Sequence, residues 1–95
     1  MLGPDVRFEW DPAKAESNIR KHGISFQLAT LVFDDPLAIT EQDRIEAGEQ
    51  RWQTIGMIQG ALLLVVAYVD RGHDGFEIIR MISARRAEPK EKEAL

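Results

Sequence analysis

Apolar and polar residues alternate over Arg7-Phe8-Glu9-Trp10, the period of a half-buried strand. Asp11-Pro12 then predicts a helix start, because Asp can accept from orphan N–H groups and proline fits the first helical turn. Ala15 and Ile19 fall on one face of that helix, with Lys14, Asn18 and Lys21 turned elsewhere. Gly23 supplies its stop, preceded by Arg20, Lys21 and His22. Ser25 is the next cap, for a second helix carrying Phe26, Leu28, Leu31, Val32 and Phe33 and ended by Pro36. Beyond Pro36 the period changes to that of strands. Leu37 to Thr40 is predicted as a strand, Glu41 to Glu49 as an acid-rich loop, and Arg51 to Ile58 as a strand closed by a turn at Gln59-Gly60. Ala61 to Val69 reads as a central strand, residues 70–75 as a turn, and Phe76 to Ser83 as the last strand. Glu88-Pro89 opens a short charged helix.

This order predicts a single α+β domain over residues 1–95. A short N-terminal strand comes first, then two helices packed on one face of an antiparallel β-meander, then a short C-terminal helix. Length agrees, since 95 residues suit one domain. With no cysteine, disulfides, thiolate nucleophiles and Cys-ligated zinc are excluded. The longest apolar run, Ala61 to Val69, is far below the roughly 20 residues that span a bilayer. No charged-then-apolar leader is recognisable, so the cytoplasm is the expected compartment. His22 and His73 stand alone, and the acidic loop lacks the calcium pattern, so no metal or cofactor is expected.

The net charge of −4 argues against bulk electrostatic binding of nucleic acid, but it hides an asymmetry. Residues 1–50 hold 5 Lys/Arg against 10 Asp/Glu, and residues 51–95 hold 7 against 6. The basic residues near the end are Arg80, Arg85 and Arg86. On a regular strand Arg80 and Glu77 lie on opposite faces, and a partly buried Arg80 needs a carboxylate or a phosphate-like ligand. Lys21-His22 either closes a helix dipole or forms a proton-transfer or phosphate-contact pair. Arg51-Trp52 reads as an edge charge over a core indole, or as a phosphate contact with a stacking platform.

Several blocks, in order, resemble the BrnT family of bacterial type II toxins. They are Phe8-Glu9-Trp10-Asp11, Lys21-His22-Gly23-Ile24-Ser25-Phe26, Val32-Phe33-Asp34-Asp35-Pro36-Leu37, Glu49-Gln50-Arg51-Trp52 with Ile55-Gly56, and Ile82-Ser83-Ala84-Arg85-Arg86-Ala87. The resemblance implies a RelE-like fold and an endoribonuclease that cuts RNA, blocks translation and arrests growth. It also implies a BrnA-type antitoxin in a 2:2 heterotetramer, with DNA contacted only through that antitoxin and no membrane involved. On this reading Arg85 and Arg80 stabilise phosphoryl charge, His22 or Glu77 moves protons, and Lys21, Arg51 and Arg86 contact RNA. The competing expectation is a non-catalytic module that binds an antitoxin-like partner through the same sheet.

Overall fold

The computed structural model describes residues 5–72 and 74–93, so His73 of the predicted turn lies outside the described residues. Strand β1 (Val6–Glu9) leads into helix α1 (Pro12–His22), helix α2 (Phe26–Ala29) and a 3₁₀ turn (Thr30–Asp34). Strands β2 (Ile39–Glu46), β3 (Glu49–Ile58), β4 (Leu62–Asp70) and β5 (Glu77–Arg86) follow, and helix α3 (Pro89–Lys92) comes last. The five strands form one sheet in the order β1-β5-β4-β3-β2. Strands β2 to β5 make the expected antiparallel meander. The first strand joins that sheet as a parallel neighbour of β5, with Phe8 opposite Ile79 and Glu9 opposite Arg80.

The caps form as the sequence predicts. The Asp11 carboxylate accepts from the Ala13 N–H at 2.9 Å, Ser25 Oγ accepts from Leu28 at 3.0 Å, and Gly23 takes the left-handed φ of 71°. The second helix is shorter than expected, because it tightens into the 3₁₀ turn at Thr30 before Pro36. A larger correction concerns residues 41–46, which form the second half of β2 and not a loop. All eight β2 side chains are exposed, so the strand has no apolar alternation to mark it. Its evidence is its partner, since Glu41 faces Gln53 and Thr40 faces Thr54 on β3. The hairpin closes at Ala47 and Gly48, both left-handed, as a two-residue turn between twisted strands demands.

Helices cover one sheet face. Phe26, Ile24, Val32 and Phe33 pack there against Leu64, Val66, Tyr68, Ile79 and Met81. Phe26 meets Trp10 edge-on with ring centroids 5.8 Å apart, and Phe33 meets Tyr68 at 5.1 Å. Trp52 packs against this core, as the core reading of that residue predicts. Gly56 lets the 3₁₀ turn lie directly on β3, because a Cβ there would stand 2.8 Å from Val32 Cγ1.

One helical position reverses the sequence reading. Asn18 is 4% exposed, whereas Ile19 is 50% exposed. The reason lies at the edge of β5 beyond the end of β1. There the Asn18 amide donates to Ala84 O at 2.8 Å and to Ile24 O at 2.9 Å, and its oxygen accepts from Ala84 N at 3.1 Å. A primary amide has the donor and acceptor of a peptide group, so it completes the strand edge where no strand lies.

Candidate nucleic-acid interface on the open sheet face

The alternation of β3, β4 and β5 turns Arg51, Val69, Arg80, Val65 and Arg85 away from α1, α2 and the 3₁₀ turn. A bulge sharpens this arrangement. Ala67 pairs with Ser83 and Tyr68 with Met81, which leaves Ile82 as an extra residue. Arg80, Ser83 and Arg85 therefore share one face, which a regular strand would not allow. Arg80 and Arg85 pair with Val69 and Val65, four residues apart, so their Cα atoms lie about 13 Å apart along the sheet at about 3.3 Å per residue.

Each of these guanidiniums is held by a glutamate. Arg51 Nη1 lies 2.6 Å from Glu46, Arg80 Nη1 lies 3.4 Å from Glu9, and Arg85 grips both oxygens of Glu91 at 2.7 and 2.8 Å. Arg71 extends the array by a two-point contact with Glu49 at 2.9 and 3.1 Å. That hydrogen bond from Arg71 holds the Glu49 carboxyl below its usual range. The Arg85 contact, with an N–H from Glu88, depresses Glu91 to about 2, and Glu91 in turn raises Arg85. Arg80 and Arg85 of the basic cluster seen in the sequence are thus paired in the free chain, while among the described residues Arg86 has no carboxylate partner. A phosphodiester, which also suits the planar fork of arginine, competes with these carboxylates for the guanidiniums.

Lys21 and His22 stand apart from that array. With Lys14, Ser17, Asn18, Ile82 and Ser83 they line a cleft of about 240 Å³ between α1 and the free edge of β5. Among the described residues, neither Lys14 nor Lys21 forms an ion pair with a carboxylate. Ser83 belongs to both places, lining the cleft and sitting between Arg80 and Arg85 on the strand.

The remaining two candidates lie elsewhere. Glu77 is on the face opposite Arg80 and Arg85, where burial and then the neighbouring Asp70 carboxylate push its pKa up. Arg86 is exposed at the end of β5, beside Ala61, Leu62 and Lys92. Sequence reasoning gave no role to Lys14 or Ser83. The signal for Ser83 was its place beside Ala84-Arg85, but its alignment with Arg80 depends on the bulge. Among the described residues no three His, Asp or Glu side chains cluster as metal ligands, and no helix is long and apolar enough to cross a membrane.

A sheet backed by α1, α2 and the 3₁₀ turn on one face, with a row of glutamate-paired arginines on the other, defines a small α+β protein. The profile of the family described as ribonuclease toxin, BrnT, of type II toxin–antitoxin system matches residues 10–91. The fold is similar to the crystal structure of the Brucella abortus ribonuclease toxin BrnT. Sequence identity is 30%, the match covers 87% of this chain and 97% of that one, and the TM-score is 0.61. No curated protein matches in sequence. The chain belongs to the BrnT family of ribonuclease toxins of type II toxin–antitoxin systems.

Proposed function

We propose that the chain is a metal-independent endoribonuclease that cleaves RNA in the cytoplasm, stops translation and growth, and is neutralised by a BrnA-type antitoxin in a 2:2 assembly. In this reading DNA is met only through the antitoxin. The observation that carries the site is the position of Ser83, which joins the arginine row to the cleft holding Lys21 and His22. A phosphodiester lying over Ser83 has Arg80 and Arg85 on either side, with Arg51 further along the sheet. It displaces Glu9 and Glu91 from these guanidiniums, which then meet the charge that grows on the phosphoryl oxygens.

The ribose 2′-oxygen attacks phosphorus as its proton passes to a base. The bond from phosphorus to the 5′-oxygen then breaks, and that oxygen takes a proton, leaving a 2′,3′-cyclic phosphate and a 5′-hydroxyl end. His22 is the proton carrier in this scheme, because an imidazole has one nitrogen that can accept a proton and another that can donate one. Lys21 and Lys14 hold the flanking phosphate. Glu77 has no part in it, since it faces away from the arginines, and Arg86 contacts RNA beyond the sheet.

The test is incubation of the purified chain with a labelled RNA and its 2′-O-methyl counterpart, reading the product ends by mass spectrometry. Cyclic-phosphate ends from RNA alone are expected. His22→Ala and Arg85→Ala should each slow cleavage by about 100-fold, and Glu77→Gln by less than about twofold. Intact RNA from folded protein that still binds its antitoxin would replace this reading with the non-catalytic binding module. The neutralised arginines of the free chain are the observation that favours that alternative.

A further inference from the structure

The end of the sheet away from the Arg80–Arg51 network has the opposite character. Between the 3₁₀ turn and the start of β2, an open groove of about 870 Å³ is lined by Leu31, Leu37, Ile39, Met57 and Leu63, with Asp34 and Asp35 at its rim. Leu37 is 83% exposed, and Leu31, Ile39 and Met57 are each more than a third exposed. This exposure is built into the loop. The Asp35 carboxylate accepts from Leu37 N at 2.9 Å with one oxygen and from Met57 N at 2.7 Å with the other. These two N–H groups hold its pKa below the ordinary value, and together they pin the loop so that Leu37 points into solvent. Met57 lies past the last β2 partner on β3, Ile55, so its amide would otherwise face water at the sheet edge.

The charged residues that line the groove, Asp34 and Asp35, are both acidic. Arg86 and Lys92 lie outside it, beyond Met57 and Leu63. Among the described residues neither aspartate forms an ion pair with a cation. An apolar floor with an anionic rim repels RNA and selects a segment that has apolar side chains on one face and Lys or Arg beside them.

We infer that this groove is the docking site for a basic amphipathic segment of the antitoxin, with Leu37 as its apolar anchor and Asp34 as its charge contact. The inference rests on the toxin reading for its partner, and it deepens that reading by placing neutralisation on a surface separate from the arginine row. The antitoxin then need not compete with Glu9, Glu46 and Glu91 for the guanidiniums in order to hold the toxin.

The test measures binding of the purified cognate antitoxin by calorimetry, with hydrogen exchange mapped on the complex. Leu37→Lys, at a residue whose side chain stands in water, should lower affinity at least about 100-fold with an unchanged melting temperature. Asp34→Lys should lower it about tenfold and flatten its dependence on salt. Exchange protection is expected over residues 31–39 and 55–60. In cells, the Leu37→Lys chain should stay toxic beside the antitoxin. Unchanged affinity in both variants, or protection confined to β5 and α1, would overturn the inference. So would a dimer of the free chain that Leu37→Lys dissolves, because the occupant would then be a second copy. A chain that binds its antitoxin through Leu37 but leaves RNA intact supports the groove while refuting the nuclease proposal.

Discussion

The sheet face beneath the helices and the face turned away from them both carry polar side chains, and they house them by different means. The buried polar groups under the helices, Asn18 and Thr54, are uncharged and fully engaged. Asn18 makes three bonds to backbone, while Thr54 Oγ1 lies 2.9 Å from both Tyr68 Oη and Thr40 Oγ1. On the open face the polar groups are charged and paired across solvent-exposed gaps. A buried neutral bond is costly to lose, because its partner is stranded without water. An exposed ion pair costs little to exchange, because water or another anion replaces the carboxylate. The covered face therefore holds the fold, and the open face can give up its partners to a ligand.

Substitutions can break that contrast, and the largest effect is expected at its apolar base. Phe26→Ala should destabilise by about 4 kcal/mol in urea unfolding, since the ring is fully buried and packed against Trp10. Asn18→Ala should cost about 3 kcal/mol, because it strands both backbone groups of Ala84 at the strand edge. Asn18→Asp is expected to be no better, since it keeps the shape but turns two donations into repulsion between oxygens. Thr54→Val should cost about 1.5 kcal/mol by depriving Tyr68 and Thr40 of their shared partner. On the open face, Arg80→Met should change stability by about 0.5 kcal/mol or less. A loss there matching that of Asn18 would refute the division between the two faces.

The pH dependence sharpens the comparison, because two glutamates respond with opposite sign. Glu91 has a folded pKa of about 2, below its unfolded value near 4.5. Its contribution is therefore present above pH 4.5 and disappears as pH falls toward 2. Solvent screening limits it to about 1 kcal/mol. Glu91→Gln should remove that acid-side slope from a series of urea midpoints. Glu77 has its folded pKa raised by burial and by Asp70, so folding favours its protonated form. Its contribution is complete below the unfolded value and lost as pH rises through the folded one. Glu77→Gln should raise stability at pH 7 relative to pH 4, the reverse of the Glu91 variant.

How much of this was legible in the sequence depended on the range of the interaction. Asp11, Gly23 and Ser25 act on their immediate neighbours, and each marks the boundary it was expected to mark, whereas the helix expected to run to Pro36 gives way to a 3₁₀ turn at Thr30. Residues 41–46 were hidden because an edge strand exposed on every side has no periodicity of its own. Asn18 looked outward because its partners are two backbone groups of Ala84, 66 residues away. The arginines of the site were visible as a cluster, and Arg80 was expected to need an anion. Their alignment required the extra residue at Ile82, and their neutral state required Glu9, Glu46 and Glu91, which other elements deliver.

The amide of Asn18 has one more consequence. A strand edge with free N–H and C=O groups is a template for any extended chain that drifts against it, and besides β1 this sheet has two such stretches of unequal guard. At β2 the charged residues Glu41, Asp43, Arg44 and Glu46 make joining costly. At β5, beyond the reach of β1, a single carboxamide occupies the hydrogen-bonding groups of Ala84. One side chain thus closes this stretch of β5 to an extended neighbour, and Asn18→Ala is expected to make association of the folded chain rise with concentration, as light scattering would show.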